Sequence, residues 1–184
     1  MQNDAPITVN PTVRRPNADL RSREYLTVAE VSTLAEAAKA NRQGHRDATM
    51  ILMAFRHGLR AAELCSLRWE QVDFNSAVLH VQRVKGGSPS VHPLAGSELR
   101  ALRRLQREST GPWLFVSERG APLSPEGFAR LLRRTAERAG LGQLRVYLHM
   151  LRHACGFHLA NDGRDTRSRP PEYPAYGEVY RAKE

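Results

Sequence analysis

The residues of this 184-residue chain whose types and spacing could do chemistry fall into three separated groups. The first is Gly58-Leu59-Arg60-Ala61-Ala62-Glu63-Leu64, which sets an arginine and a carboxylate at the start of a short helical stretch. The second is Lys85, within the connection Lys85-Gly86-Gly87-Ser88. The third is His149-Met150-Leu151-Arg152-His153. Each is ordinary by itself. An arginine beside a helix start is commonly structural, a hairpin lysine is commonly solvated, and His-x-x-Arg is a frequent pattern. Together they supply guanidinium, ammonium and imidazole groups, the side chains that bind oxyanions. Their order along the chain is more specific than any one of them.

The charge balance points the same way. There are 28 Lys+Arg against 19 Asp+Glu, a net charge of +9 and a pI of about 10.4, which favours a polyanionic partner. Arg100, Arg103, Arg104 and Arg107 recur at helical spacing, and so do Arg130, Arg133, Arg134 and Arg138. Aromatic residues are only 7% of the chain and do not interleave with these arginines, so the pattern fits phosphates of a duplex better than stacking on single strands. His45, His57, His153 and His158 form no metal-ligand spacing, and His153 and His158, five positions apart, fall off a shared helix face. Cys65 and Cys155 cannot build a disulfide framework and read as small core residues of a reduced, cytoplasmic protein. No apolar run approaches the roughly 20 residues of a membrane-spanning helix, and the N-terminus has no apolar stretch of a secretory signal.

The elements that must position these groups can be read in outline. Residues 1–24 are polar, proline-punctuated and basic, and are expected to form a flexible arm. Thr27 with Glu30 is a capping box, ahead of an apolar face of Val28, Val31, Leu34, Ala35 and Ala38. A buried helix is expected from about Asp47 to His57, ended by Gly58, and a short one over 61–66. Residues 78–81 and 90–92 read as two strands of a hairpin whose connection holds Lys85. Leu94, Leu99, Leu102 and Leu105 mark the next helix, and Ser124-Pro125 opens another, closed at Gly140. A last helix is expected over about 150–161. Trp69, Trp113 and Phe115 are expected in the core. The fold class is mainly α with a small antiparallel β-sheet.

GLRAAELCSLRWEQVDF, the VKGG connection followed by His92-Pro93-Leu94, and LHMLRHACGFHLANDGRDTR together resemble the three signature blocks of the tyrosine recombinase, or phage integrase, catalytic domain. The wording is most similar to the small recombinases that invert fimbrial promoters. The resemblance covers about 25–167 and implies that fold. It also implies site-specific DNA recombination: a tyrosine attacks a phosphate of double-stranded DNA, forms a 3′-phosphotyrosine and frees a 5′-hydroxyl. Bond energy is conserved, so the reaction takes no ATP, and guanidinium groups rather than a metal or cofactor meet the transition-state charge. By resemblance Arg60 and Arg152 are those groups. Lys85 protonates the leaving 5′-oxygen, His149 orients the phosphate, and Glu63 braces the arginines from behind. The family works as a tetramer on DNA, with no membrane partner.

The resemblance stops at Arg167. In the family a Leu-Gly-His block and then a Thr-x-x-Tyr-Thr block follow, carrying a phosphate-binding histidine and the nucleophile. Neither stands in residues 168–184, an irregular tail rich in proline and tyrosine. Codons can be assigned to the tail so that the neighbouring frame spells Gly-His-Arg-Asn-Ile-Gln-His-Thr-Val-Arg-Tyr-Thr, with both blocks at family spacing. The expectation is therefore a C-terminally truncated recombinase domain whose tail is an out-of-frame reading of its own motif. Catalysis is then impaired, and the alternative function is a non-catalytic remnant that binds duplex DNA. Tyr180, 28 residues beyond Arg152, is the remaining candidate nucleophile.

Overall fold

The computed structural model describes residues 23–82 and 89–161. The chain enters α1 (Val28–Ala38) through the expected capping box: Glu30 N–H donates to Thr27 Oγ1, and Glu30 Oε2 accepts from the Thr27 N–H at 2.8 Å. Val31, Leu34, Ala35 and Ala38 are buried, as their spacing predicts.

Next comes α2 (Gly44–Arg56), the central helix, which packs against α1 and against the later helices. Its apolar residues Met50, Ile51 and Met53 are wholly buried. It begins three residues before the expected Asp47. The first turn, Gly44-His45-Arg46, is polar and gives no hydrophobic period. Gly44 permits that early start, because a Cβ there would overlap the Lys39 carbonyl oxygen.

A short α3 (Ala61–Cys65) follows, then β1 (Val72–Asp73), β2 (Val78–Val81) and β3 (Ser90–Pro93), in the antiparallel order β1-β2-β3. The register pairs Leu79 with His92 and Val81 with Ser90. Leu79 and Val81 point into the core while His80 between them points out. Asp73 closes the turn after β1 by accepting from the Asn75 and Ser76 N–H groups.

α4 (Gly96–Glu108) turns Leu102 and Leu105 inward, and Arg100, Arg103, Arg104 and Arg107 are exposed. Leu94 precedes the helix rather than belonging to it, and its N–H donates to Ala77 O. α5 (Pro125–Arg138) has Ser124 at its N-cap, accepting from the Gly127 N–H at 3.1 Å, and ends at Gly140, whose φ is +73°. Phe128, Leu131, Leu132 and Ala136 are buried. α6 (Leu148–Asn161) starts two residues earlier than expected, which brings His149 into its first turn.

Phe115 is core, but Trp69 and Trp113 are only half-buried. Both rings serve polar neighbours. Trp69 Nε1 donates to Ser109 Oγ at 3.0 Å, and the Arg68 guanidinium lies 5.0 Å from the Trp113 ring centroid. Cys65 and Cys155 are buried free thiols. Among the described residues no helix is long and apolar enough to cross a membrane.

Candidate active site

The site is organised by the turn between α2 and α3. His57 caps the C-terminus of α2, and Gly58 follows with φ +55°, the left-handed conformation that ends helices and suits glycine. The chain then reverses so that Arg60 becomes the N-cap of α3, in extended geometry. Glu63, at the third position of α3, reaches back. Its Oε2 accepts from the Arg60 N–H at 2.9 Å, and its Oε1 accepts from Arg60 Nη1 at 2.8 Å. The Glu63 side chain is 0% exposed and that of Arg60 is 46% exposed. One edge of the guanidinium is thus fixed by a buried carboxylate while the group still reaches solvent.

α6 docks on the same turn. Arg152 Nη1 donates to the carbonyl oxygen of Gly58. The Cys155 thiol, one turn on, contacts the Arg56 carbonyl at 3.6 Å. A Cβ at Gly58 would come within 3.3 Å of Cys155 Sγ, so a side chain there would crowd α6. His149 stands three residues before Arg152 and shares its face of the helix. It is exposed, and its ring centroid lies 6.2 Å from that of His153, edge to face.

Of the residues singled out in the sequence, Arg60, Glu63 and Arg152 therefore meet around one backbone turn, with His149 on the adjoining helix face. Lys85 and Tyr180 lie outside the described residues. Spacing did not single out two participants: the Gly58 carbonyl, which holds Arg152, and Cys155, which sets how close α6 comes. The glycine two residues before Arg60, placed to end the preceding helix, was the available signal for the first. Nothing local marks the second.

Residues 24–168 match the phage integrase family, a span running from before α1 to beyond α6. The chain belongs to the phage integrase family, the tyrosine recombinases. It is 38% identical over 156 residues to the type 1 fimbriae regulatory protein FimB of Escherichia coli (strain K12), covering 82% of this chain and 78% of FimB. Among solved structures it is similar to the XerA recombinase, at 27% identity and a TM-score of 0.69 over 78% of this chain and 53% of that one. A lambda integrase dimer bound to a core DNA site shares the fold, with a TM-score of 0.63 at 21% identity over 78% of this chain and 54% of that one. The chain thus spans about half the length of these solved recombinases. The family's reaction is site-specific DNA recombination, and this chain has its mostly helical catalytic-domain fold with the small antiparallel sheet.

Proposed function

We propose that this chain grips a phosphate of duplex DNA at the α2–α3 turn, with the family's transesterification impaired. Arg60 and Arg152 are the phosphate ligands. Guanidinium forks keep their charge at any physiological pH and bind oxyanions through paired N–H groups. Glu63 is a positioning residue, because it holds Arg60 without facing the solvent. His149 orients the phosphate from the first turn of α6. In the full reaction a tyrosine oxygen attacks phosphorus, the bond to the 5′-oxygen breaks, and the Lys85 ammonium gives its proton to that oxygen. Exposed arginines on α4 and α5 add to the positive field that attracts DNA.

The observation that carries this reading is the convergence of both arginines on one turn: Arg60 through Glu63, and Arg152 through the Gly58 carbonyl. Impairment rests on the residues that stand at 168–184, which differ from the Leu-Gly-His and Tyr-Thr blocks of the family. That difference favours binding without cutting over full recombinase activity. Assembly of copies on DNA, in the cytoplasm, belongs to the same reading.

A mobility shift on duplex DNA across a salt series, paired with covalent trapping on a nicked duplex, tests it. Salt-sensitive binding without an adduct is expected, and Arg60→Ala should weaken it. An adduct mapped to Tyr180 would overturn the impairment. Absence of DNA binding at low salt would overturn the reading as a whole. Nucleotide sequence of the locus through the tail decides the frame: a neighbouring frame spelling Gly-His and Tyr-Thr supports the shifted motif, and any other spelling removes it.

A further inference from the structure

A buried polar cluster joins α2, α4 and β3. Glu98, in the first turn of α4, lies at its centre. Its Oε1 is 3.1 Å from His57 Nε2 and 3.5 Å from Arg56 Nη1, and its Oε2 accepts from the Ala95 N–H at 2.9 Å. The His57 ring meets that of His92 edge to face, with centroids 5.3 Å apart. His92 Nε2 in turn bonds Ser90 Oγ at 2.9 Å. Arg56, His57, His92 and Glu98 are all buried.

Such a cluster is an inefficient way to stabilise a fold. Removing charged groups from water carries a large desolvation cost, and apolar residues of equal volume often do as well or better. What directional bonds add is a single arrangement that satisfies them. Here that arrangement fixes three elements. His57 immediately precedes Gly58, so the end of α2 leads directly into the Arg60 turn. His92 lies opposite Leu79 in the β2–β3 ladder. Lys85 lies in sequence between those two strands. Glu98 ties His57 to the start of α4, and the His57 ring in turn meets His92 on β3. The cluster is therefore a common footing for the arginine turn and for the strands on either side of the lysine.

We infer that His57, His92 and Glu98 are positioning residues that seat the β2–β3 ladder against the Gly58–Arg60 turn, so that both serve the same DNA phosphate. The inference rests on the proposed phosphate site and on the role given to Lys85. All three are buried, so their loss should misplace Lys85 without weakening the grip on the duplex.

The full chain allows a direct measurement, because its lysines are only Lys39, Lys85 and Lys183. A duplex carrying an abasic site presents an aldehyde. A lysine amine condenses with it, releasing water to form an imine, and added borohydride delivers hydride to leave a stable secondary amine. Peptide mapping then reports how much adduct forms at each lysine. In His92→Ala the Lys85 adduct should fall about ten-fold, as expected when a reacting group is displaced by roughly an ångström or less, while DNA affinity and any Lys39 or Lys183 adducts stay unchanged. Ser90→Ala should shift it in the same direction but less, and His92→Gln, which can still bond Ser90, should recover part of it. If His92→Ala does not fold, Ser90→Ala and Glu98→Gln decide the matter. Equal Lys85 adduct in the parent and the folded variants overturns the inference. So does a fall in affinity that parallels the fall in adduct. A parent chain that binds DNA but forms no Lys85 adduct overturns the role of Lys85 and this inference with it, leaving the arginine site standing.

Discussion

Arg152 on α6 donates a hydrogen bond to the backbone carbonyl of Gly58, 94 residues earlier in the chain. That bond joins two sequence blocks whose arginines would otherwise be independent. The turn that launches Arg60 is also the acceptor that holds Arg152. A change at Gly58 is therefore felt by both.

Gly58→Ala tests this turn. Its φ of +55° disfavours any side chain, and the new Cβ would sit 3.3 Å from Cys155 Sγ. A loss of about 1–2 kcal/mol in unfolding free energy is expected from the backbone alone, read by urea denaturation. Adding Cys155→Ala should relieve the crowding but not the φ strain, so the double variant should remain less stable than Cys155→Ala alone. Equal stability of those two proteins would show that the turn tolerates alanine.

Glu63 distinguishes bracing from simple helix capping. Glu63→Ala removes both bonds to Arg60 and should reduce stability by about 1–3 kcal/mol, since a buried acceptor disappears from under a charged donor. It should also weaken DNA binding. Glu63→Gln keeps an oxygen for the Arg60 N–H and should recover most of the stability but less of the binding. Binding by Glu63→Ala that matches the parent, measured by mobility shift, would reduce Glu63 to a cap.

Glu98 sets an acid limit. Burial pushes its carboxyl upward, but the charge and hydrogen bond of His57, the charge of Arg56 and the Ala95 N–H outweigh this and hold it below its ordinary value of 4.5. A depressed carboxyl contributes stability above its unfolded value and loses it as the pH falls through the folded one. The urea midpoint of the parent should therefore drop more steeply below pH 4.5 than that of Glu98→Gln. Parallel slopes would mean that the ion cluster is not formed in solution.

Cys65 should be chemically silent. Burial, with a smaller contribution from the Glu126 carboxylate, pushes its thiol up to about 12, so almost no thiolate exists near neutrality. Maleimide at pH 8 should leave Cys65 and the equally buried Cys155 unlabelled in the native chain and label both in urea. Prompt native labelling of Cys155 would show that α6 does not stay seated on the Gly58 turn.

The sequence alone determined most elements and the chemistry they could hold. Capping boxes, proline at a helix start and apolar spacing are local signals, set by neighbours within a turn or two. They located α1, α5 and the β2–β3 pair, and the three blocks pointed to a DNA recombinase domain. Local signals failed where the cause was local but polar, as in the first turn of α2, or where a ring lay at an edge, as with Trp69 and Trp113. Only the tertiary structure decided how the blocks meet. That Arg152 is held by a backbone carbonyl, that Cys155 fills the space of a missing side chain, and that His57 shares Glu98 with Arg56 beside β3 are all contacts between residues about 40 to 100 positions apart. Such contacts depend on how α2, α4 and α6 pack around a common core, and no spacing within any one block encodes that geometry.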